Sequence, residues 1–331
     1  MWPRDAAGSF KLDGGTGPIT GMCNCGDFME VYKVDTTFRI KSPEAIDPER
    51  TNPHAPWVNS VQDNVGSAHH AVARVLMQGR QLLDGGIFSP APDKEAVVRL
   101  LHSIKEELVV CDKVASRVRN SVESIATQIQ ASKATPPQRL LSPFPQVVDL
   151  DGEATTFLIR AKRAIRLMCS LPSKFIDVPD KDSNFEYLGA TVKQKLGADS
   201  RVTQLIESHA DSIRHLIELR NFQEHPNSPT PTIVKNFHVA PDGSIGLPEW
   251  YVTGSPSRLI HGDMSEAVPF LIVTAELLLA YLVEHVIDPK WPLVILAIPD
   301  EQQNAAAPVR LRISMDMSRV RLREAPDLGA G

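Results

Sequence analysis

The sequence predicts a mainly α protein: a four-helix core with a β-hairpin insertion and minor β flanks. Three observations lead there. Residues 93–134 contain no Gly or Pro, while apolar residues recur at Val97, Leu100, Leu101, Ile104, Leu108, Cys111, Val114 and Val118. That is the 3.6-residue period of a helix with one buried face. Three later stretches repeat the pattern, near 152–170, 200–220 and 263–287. Short β-favouring runs flank the helices and interrupt them once.

The elements follow in chain order. Residues 1–20 are rich in Gly and small residues and predict a disordered N-terminus. Residues 21–90 form an N-terminal extension of strand, loop and helix. Within it, Phe28 to Ile40 favours β structure, and Pro43, Pro48, Pro53 and Pro56 then forbid regular structure. Ala68 to Leu83 predicts a helix ended by Gly85–Gly86.

Residues 91–290 form the helical domain. Its first helix stops at Pro136–Pro137. Its second carries Phe157, Ala161, Ala164, Ile165 and Met168 on one face. Its third begins at Ser200, an N-cap residue type, and carries Val202, Leu205, Ile206, His209, Ile213, Leu216, Ile217 and Arg220 on one stripe. A hairpin insertion at 231–254 turns at Pro241–Asp242–Gly243. Asp263 and Glu266 then read as a capping arrangement for the fourth helix. Residues 291–331 supply two strands, Leu293–Ile298 and Val309–Ile313, and a tail. The N- and C-terminal strands are expected to join in one small sheet.

Composition narrows the function classes. The 331 residues, 42% hydrophobic and 23% charged, are those of an ordinary soluble protein. A formal net charge of -5 argues against a general nucleic-acid coat, though a local basic groove remains compatible with it. The N-terminal residues lack the apolar core of a signal peptide. The most apolar stretch, Val268–Val283, is shorter than a membrane span of ~20 residues and carries Glu276. A cytoplasmic protein without a membrane partner is expected.

The four cysteines, Cys23, Cys25, Cys111 and Cys169, show no disulfide-framework spacing. Cys23 and Cys25 read as loop thiols, and His69–His70 as ordinary helix residues. No metal site and no cofactor are expected. No Gly-rich phosphate loop, nucleophile elbow or HExxH is present, so nucleotide hydrolysis and serine hydrolysis have no support.

The feature that points to chemistry is Leu219-Arg220-Asn221-Phe222-Gln223-Glu224-His225-Pro226. Arg220 lies on the apolar stripe of its own helix, where a guanidinium is costly unless paired or opened to a polar pocket. An arginine offers a planar fork of donors to phosphate, and a histidine titrates near neutral pH. Arg220 and His225 lie about 140° apart on an ideal helix, but Pro226 disfavours helix at His225. Arg160, Lys162, Arg163 and Arg166 add a basic edge on the second helix. His209 is either a second pocket histidine or a hydrogen-bonded core residue.

An arginine, a polar residue, and a histidine after four intervening positions resembles the signature of the HEPN superfamily. The resemblance implies a four-helix HEPN-like bundle and metal-independent RNA cleavage, in a toxin or defence effector. His225 would handle the proton, Arg220 would hold the phosphate, and Asn221 would orient them. Arg160, Arg163 and His209 are the expected substrate-binding residues. A homodimer, and an antitoxin or regulatory partner, are implied as well. The alternative is a catalytically silent HEPN-like module that dimerises or binds a partner. Glu224 or Glu276 paired with Arg220 would favour it.

Overall fold

A computed structural model describes residues 11–133, 143–180, 185–224 and 230–319. The chain opens with four strands: β1 (Gly21–Asn24), β2 (Met29–Tyr32), β3 (Thr37–Lys41) and β4 (Val58–Asp63). They form one antiparallel sheet in that order, with the short helix α1 (Pro43–Ile46) between β3 and β4. Cys23 therefore lies in a strand opposite Glu30, and Glu30 opposite Arg39. The proline-rich stretch read as loop contains α1 and leads into β4. Pro43 fits the first turn of a helix, where no N–H is needed.

A π-helical stretch, Ala71–Met77, runs into α2 (Gln78–Gly85). All seven of its residues are buried, Arg74 included. The helix predicted over Ala68–Leu83 thus exists, but its first half is wider than an α-helix.

Helix α3 (Lys94–Lys133) is the axis of the molecule. Asp93 Oδ1 caps it by accepting the Ala96 N–H at 3.0 Å. Val97, Leu101, Ile104, Leu108, Cys111, Val118 and Val122 are all buried, as the helical period requires. Helices α4 (Leu150–Ser170), α6 (Arg201–Glu224) and α7 (Ile260–Val286) complete the core, α3 packing on α4 and α7, and α4 on α6. Between α4 and α6 lies α5 (Phe185–Leu196), which the sequence reading missed. Gly189 weakens its helical pattern, yet a Cβ there would stand 3.2 Å from Ile206 Cγ2. The glycine permits α5 to sit close against α6.

The insertion is more elaborate than one hairpin. β5 (Thr232–Lys235), β8 (Glu249–Val252) and β9 (Arg258–Leu259) form a three-stranded sheet. β6 (His238–Val239) and β7 (Ile245–Gly246) form a small ladder at its tip. Gly243 turns that tip with φ of +81°. At the C-terminal end, β10 (Leu293–Ala297) pairs with β11 (Leu311–Met315). The N- and C-terminal strands therefore make two separate sheets, not one. β11 instead packs on α2.

Helix α7 is long and apolar enough to span a membrane, but 67% of its most apolar window is buried in the fold. It is a core helix. Its Glu276 does not pair with Arg220. Arg74 donates to it through Nε at 3.0 Å and through Nη2, and Gln78 Nε2 at 3.1 Å. Both charged side chains are nearly inaccessible, at 7% for Arg74 and 2% for Glu276. The expected Arg220–Glu276 pairing is overturned because the true partner of Glu276 is Arg74, 202 residues earlier in the chain, while the Glu224 side chain lies outside the described residues.

Removing one partner of such a pair strands a buried charge. Glu276→Gln is expected to cost about 3–5 kcal/mol of folding stability, read from urea denaturation. Arg74→Met with Glu276→Met is expected to cost less than the sum of the two single changes.

Candidate functional site

Two sites compete for function, both on α6. The first is its C-terminal end. Asn221 Oδ1 accepts a hydrogen bond from Lys162 Nζ of α4 at 2.8 Å. Two residues on, Gln223 Nε2 donates to Thr155 Oγ1 at 2.7 Å. Gln223 Oε1 is buried and has no partner among the described residues. Arg220 is half-buried, and Arg166 lies one turn along α4 from Lys162. So Asn221 meets the basic edge of α4 through Lys162. His225, the last member of the predicted constellation, lies outside the described residues.

The other expected substrate-binding residues scatter. Arg160 is half-exposed, with its Nη1 3.2 Å from Glu107 of α3. Arg163 is exposed on α4. His209 is eleven residues before Arg220, about 16 Å along the helix. Its Nδ1 lies 2.8 Å from Thr274 Oγ1, and its ring packs on Phe270 at 4.8 Å between centroids. Burial lowers its pKa below the ordinary histidine value. Of its two readings, the hydrogen-bonded packing residue is the one observed.

The second site was not found from sequence. A cleft of about 320 Å³ opens between α6 and the start of α7, lined by Asp211, Ser212, His215, Arg258, Asp263 and Phe270, among others. Asp263 is its centre. Its Oδ2 accepts from Trp250 Nε1 at 2.7 Å and faces His215 Nε2 at 2.9 Å, while Arg258 Nη1 donates to Oδ1 at 3.1 Å. The reading of Asp263 as a cap is corrected here: Leu259 occupies the N-cap position, and Asp263 lies inside the first turn. Its side chain looks across to the hairpin insertion and to α6.

Burial pushes the Asp263 carboxyl up. Hydrogen bonds from His215 and Trp250, the His215 charge and Arg258 outweigh it, so the group titrates below the usual carboxylate range. A histidine held by a buried carboxylate is oriented for proton transfer. No other hydrogen-bond partner of His215 is found among the described residues. The lining is nonetheless acidic, with Asp211, Asp263 and Glu266 against Arg258. That balance suits a cationic or neutral ligand better than a phosphodiester. The sequence signal available was the Asp263 carboxylate near a buried Trp, but it named no partner on α6.

A third group brings Cys25, Glu30 and His102 together. The expectation of loop thiols is corrected for Cys23, which lies in β1, and holds for Cys25, which lies in the β1–β2 loop; both sulfur-bearing residues are buried, at 2% and 6% exposure. Compared with known proteins, the chain matches no family model, no curated protein and no solved structure.

Because the folded Asp263 pKa is depressed, its contribution is complete above the unfolded value near ~3.9 and fades as pH falls through the lower folded value. Asp263→Asn is therefore expected to be less stable than the native chain at pH 7 by about 1–3 kcal/mol. The gap should close as pH falls below about 3–4, measured by denaturation across that range.

Proposed function

We propose that this chain is a metal-independent endoribonuclease of HEPN type, acting at the C-terminal end of α6. The observation that carries the proposal is the Lys162–Asn221 hydrogen bond of 2.8 Å. It brings the basic edge of α4 against the residue that follows Arg220. A local cationic patch thereby arises in a chain whose net charge is -5. Three further features support the reading. The core is helical, with α3, α4, α6 and α7 packed together. Gln223 Oε1 offers a buried acceptor beside the patch. His225 follows the last residue of α6 directly in sequence.

The chemistry is transesterification within the RNA strand. The ribose 2′-oxygen attacks the adjacent phosphorus, and the bond to the 5′-oxygen breaks. His225 moves the proton, while Arg220 holds the phosphate oxygens as charge develops on them. The products are a 2′,3′-cyclic phosphate and a 5′-hydroxyl. DNA lacks the 2′-hydroxyl and is not a substrate. A cytoplasmic setting, a homodimer and a regulatory or antitoxin partner belong to the same proposal.

A second reading rests on the same hydrogen bond. Asn221 Oδ1 is already engaged by Lys162, as a purely structural residue would be. That favours a catalytically silent binding and dimerisation module.

RNA cleavage by the purified chain in magnesium-free buffer with EDTA distinguishes the two. The ribonuclease reading expects cyclic-phosphate ends, a loss of about 10²–10³-fold in Arg220→Ala, and of about 10²–10⁴-fold in His225→Ala. Cleavage equal in both variants and the native chain would remove it. No cleavage of RNA by the folded native dimer would leave the silent module.

A further inference from the structure

We propose that Cys23, Cys25, Glu30 and His102 form a zinc site that fastens the N-terminal sheet to α3. The sulfur of Cys25, a carboxylate oxygen of Glu30 and a ring nitrogen of His102 all lie within 4.8 Å of one another. Tetrahedral zinc with bonds near 2.0–2.3 Å sets its ligands about 3.3–3.8 Å apart. The group is therefore within about an ångström of binding geometry. Cys23 provides the fourth ligand. It lies outside the three-residue group but is opposite Glu30 in the β1–β2 register, is 2% exposed, and its carbonyl accepts from Cys25 Sγ at 3.7 Å.

The donor set selects the ion. Two thiolates and an imidazole are soft and borderline ligands, suited to zinc and poor for magnesium or calcium. The charges close as well. Buried Glu30 is met by Arg39 at 2.9 Å and Lys105 at 2.8 Å, and Lys105 also pairs with Glu106. Those four charges sum to zero. A divalent ion that displaces two thiol protons adds two positive and two negative charges, so the sum is unchanged.

The surroundings are those of a supported site. Tyr32 Oη donates to Glu30 Oε2 at 2.6 Å, the oxygen that Lys105 also holds. Oε1 accepts from Arg39 Nη2 at 2.9 Å and faces His102 Nε2 at 2.9 Å; the lone pair on the His102 side is the one left for metal once that nitrogen turns to the ion. Phe28 packs edge-on against the His102 ring at 5.3 Å, and Arg39 covers Phe28 at 4.0 Å. Groups that fix the orientation of ligands in this way raise metal affinity. The site is on a different face of α3 from Glu107 and Cys111, which meet α4. It is structural and independent of the ribonuclease reading.

The test is metal content of the full chain, purified tag-free under reducing conditions without chelator, followed by cobalt replacement. One zinc per chain is expected, with a thiolate-to-cobalt charge-transfer band and the visible bands of tetrahedral cobalt. Cys25→Ser and His102→Asn should abolish the band. Tyr32→Phe, which keeps every ligand, should weaken binding by about 10–100-fold. Cys111→Ser and Cys169→Ser should leave it unchanged. A folded native chain with neither zinc nor the cobalt band would overturn the proposal. So would binding that survives Cys25→Ser or ignores Tyr32→Phe.

Discussion

The structure depends on how it accommodates one carboxylate, Glu276, in the middle of its most apolar helix. An ionised carboxylate so buried must be paired and fully hydrogen-bonded. Arg74 and Gln78 meet that need from the π-helical stretch and the start of α2. Gln78 then uses its own oxygen to accept the N–H groups of Arg310 and Leu311, at 2.7 and 2.8 Å. Three segments far apart in sequence are thereby held in one register: α7, the segment Ala71–Gly85, and the C-terminal hairpin. Apolar packing alone is non-directional and would tolerate sliding of α7 along α3. The polar network fixes where it stops.

The same device recurs twice. Glu30, fully buried in β2, gathers Tyr32, Arg39, His102 and Lys105 and ties the N-terminal sheet to α3. Asp263 gathers Trp250, His215 and Arg258 and ties the hairpin insertion to α6 and α7. Each peripheral β unit is thus attached to the helical core through a buried carboxylate. The C-terminal end of α6 differs. There, among the described residues, the contacts run between Lys162, Asn221, Gln223 and Thr155, without a buried carboxylate at their centre. Arg220 and the basic residues of α4 lie at that end, and the proposed phosphate reading attaches to them and not to the acid-lined cleft.

How much of this the sequence disclosed follows from the range of each interaction. The long helices were legible because periodicity is local: the buried positions of α3 are those its spacing names. Helix α5 was not, because Gly189 answers to a close approach by Ile206 and not to helix propensity. Glu276 was recognised as needing a partner, but no spacing rule points 202 residues back to Arg74. The Arg220–Asn221 motif and the basic run on α4 were both visible, but the Lys162–Asn221 contact that joins them was not. His215 was passed over because its role comes from Asp263, 48 positions later, and not from its own stripe. Cys23 and Cys25 looked isolated for the same reason. Their neighbours Glu30 and His102 are joined to them by strand register and by packing on α3, neither of which leaves a compact motif.

The central functional claim is that RNA is held where α6 ends against α4. Photo-crosslinking of the native chain to 4-thiouridine RNA, with the attached peptides mapped, tests it most directly. Crosslinks concentrated in the peptides around Lys162–Arg166 and Arg220–His225 are the predicted result. Crosslinks confined to the cleft at His215 and Asp263, or to the N-terminal sheet, would contradict it.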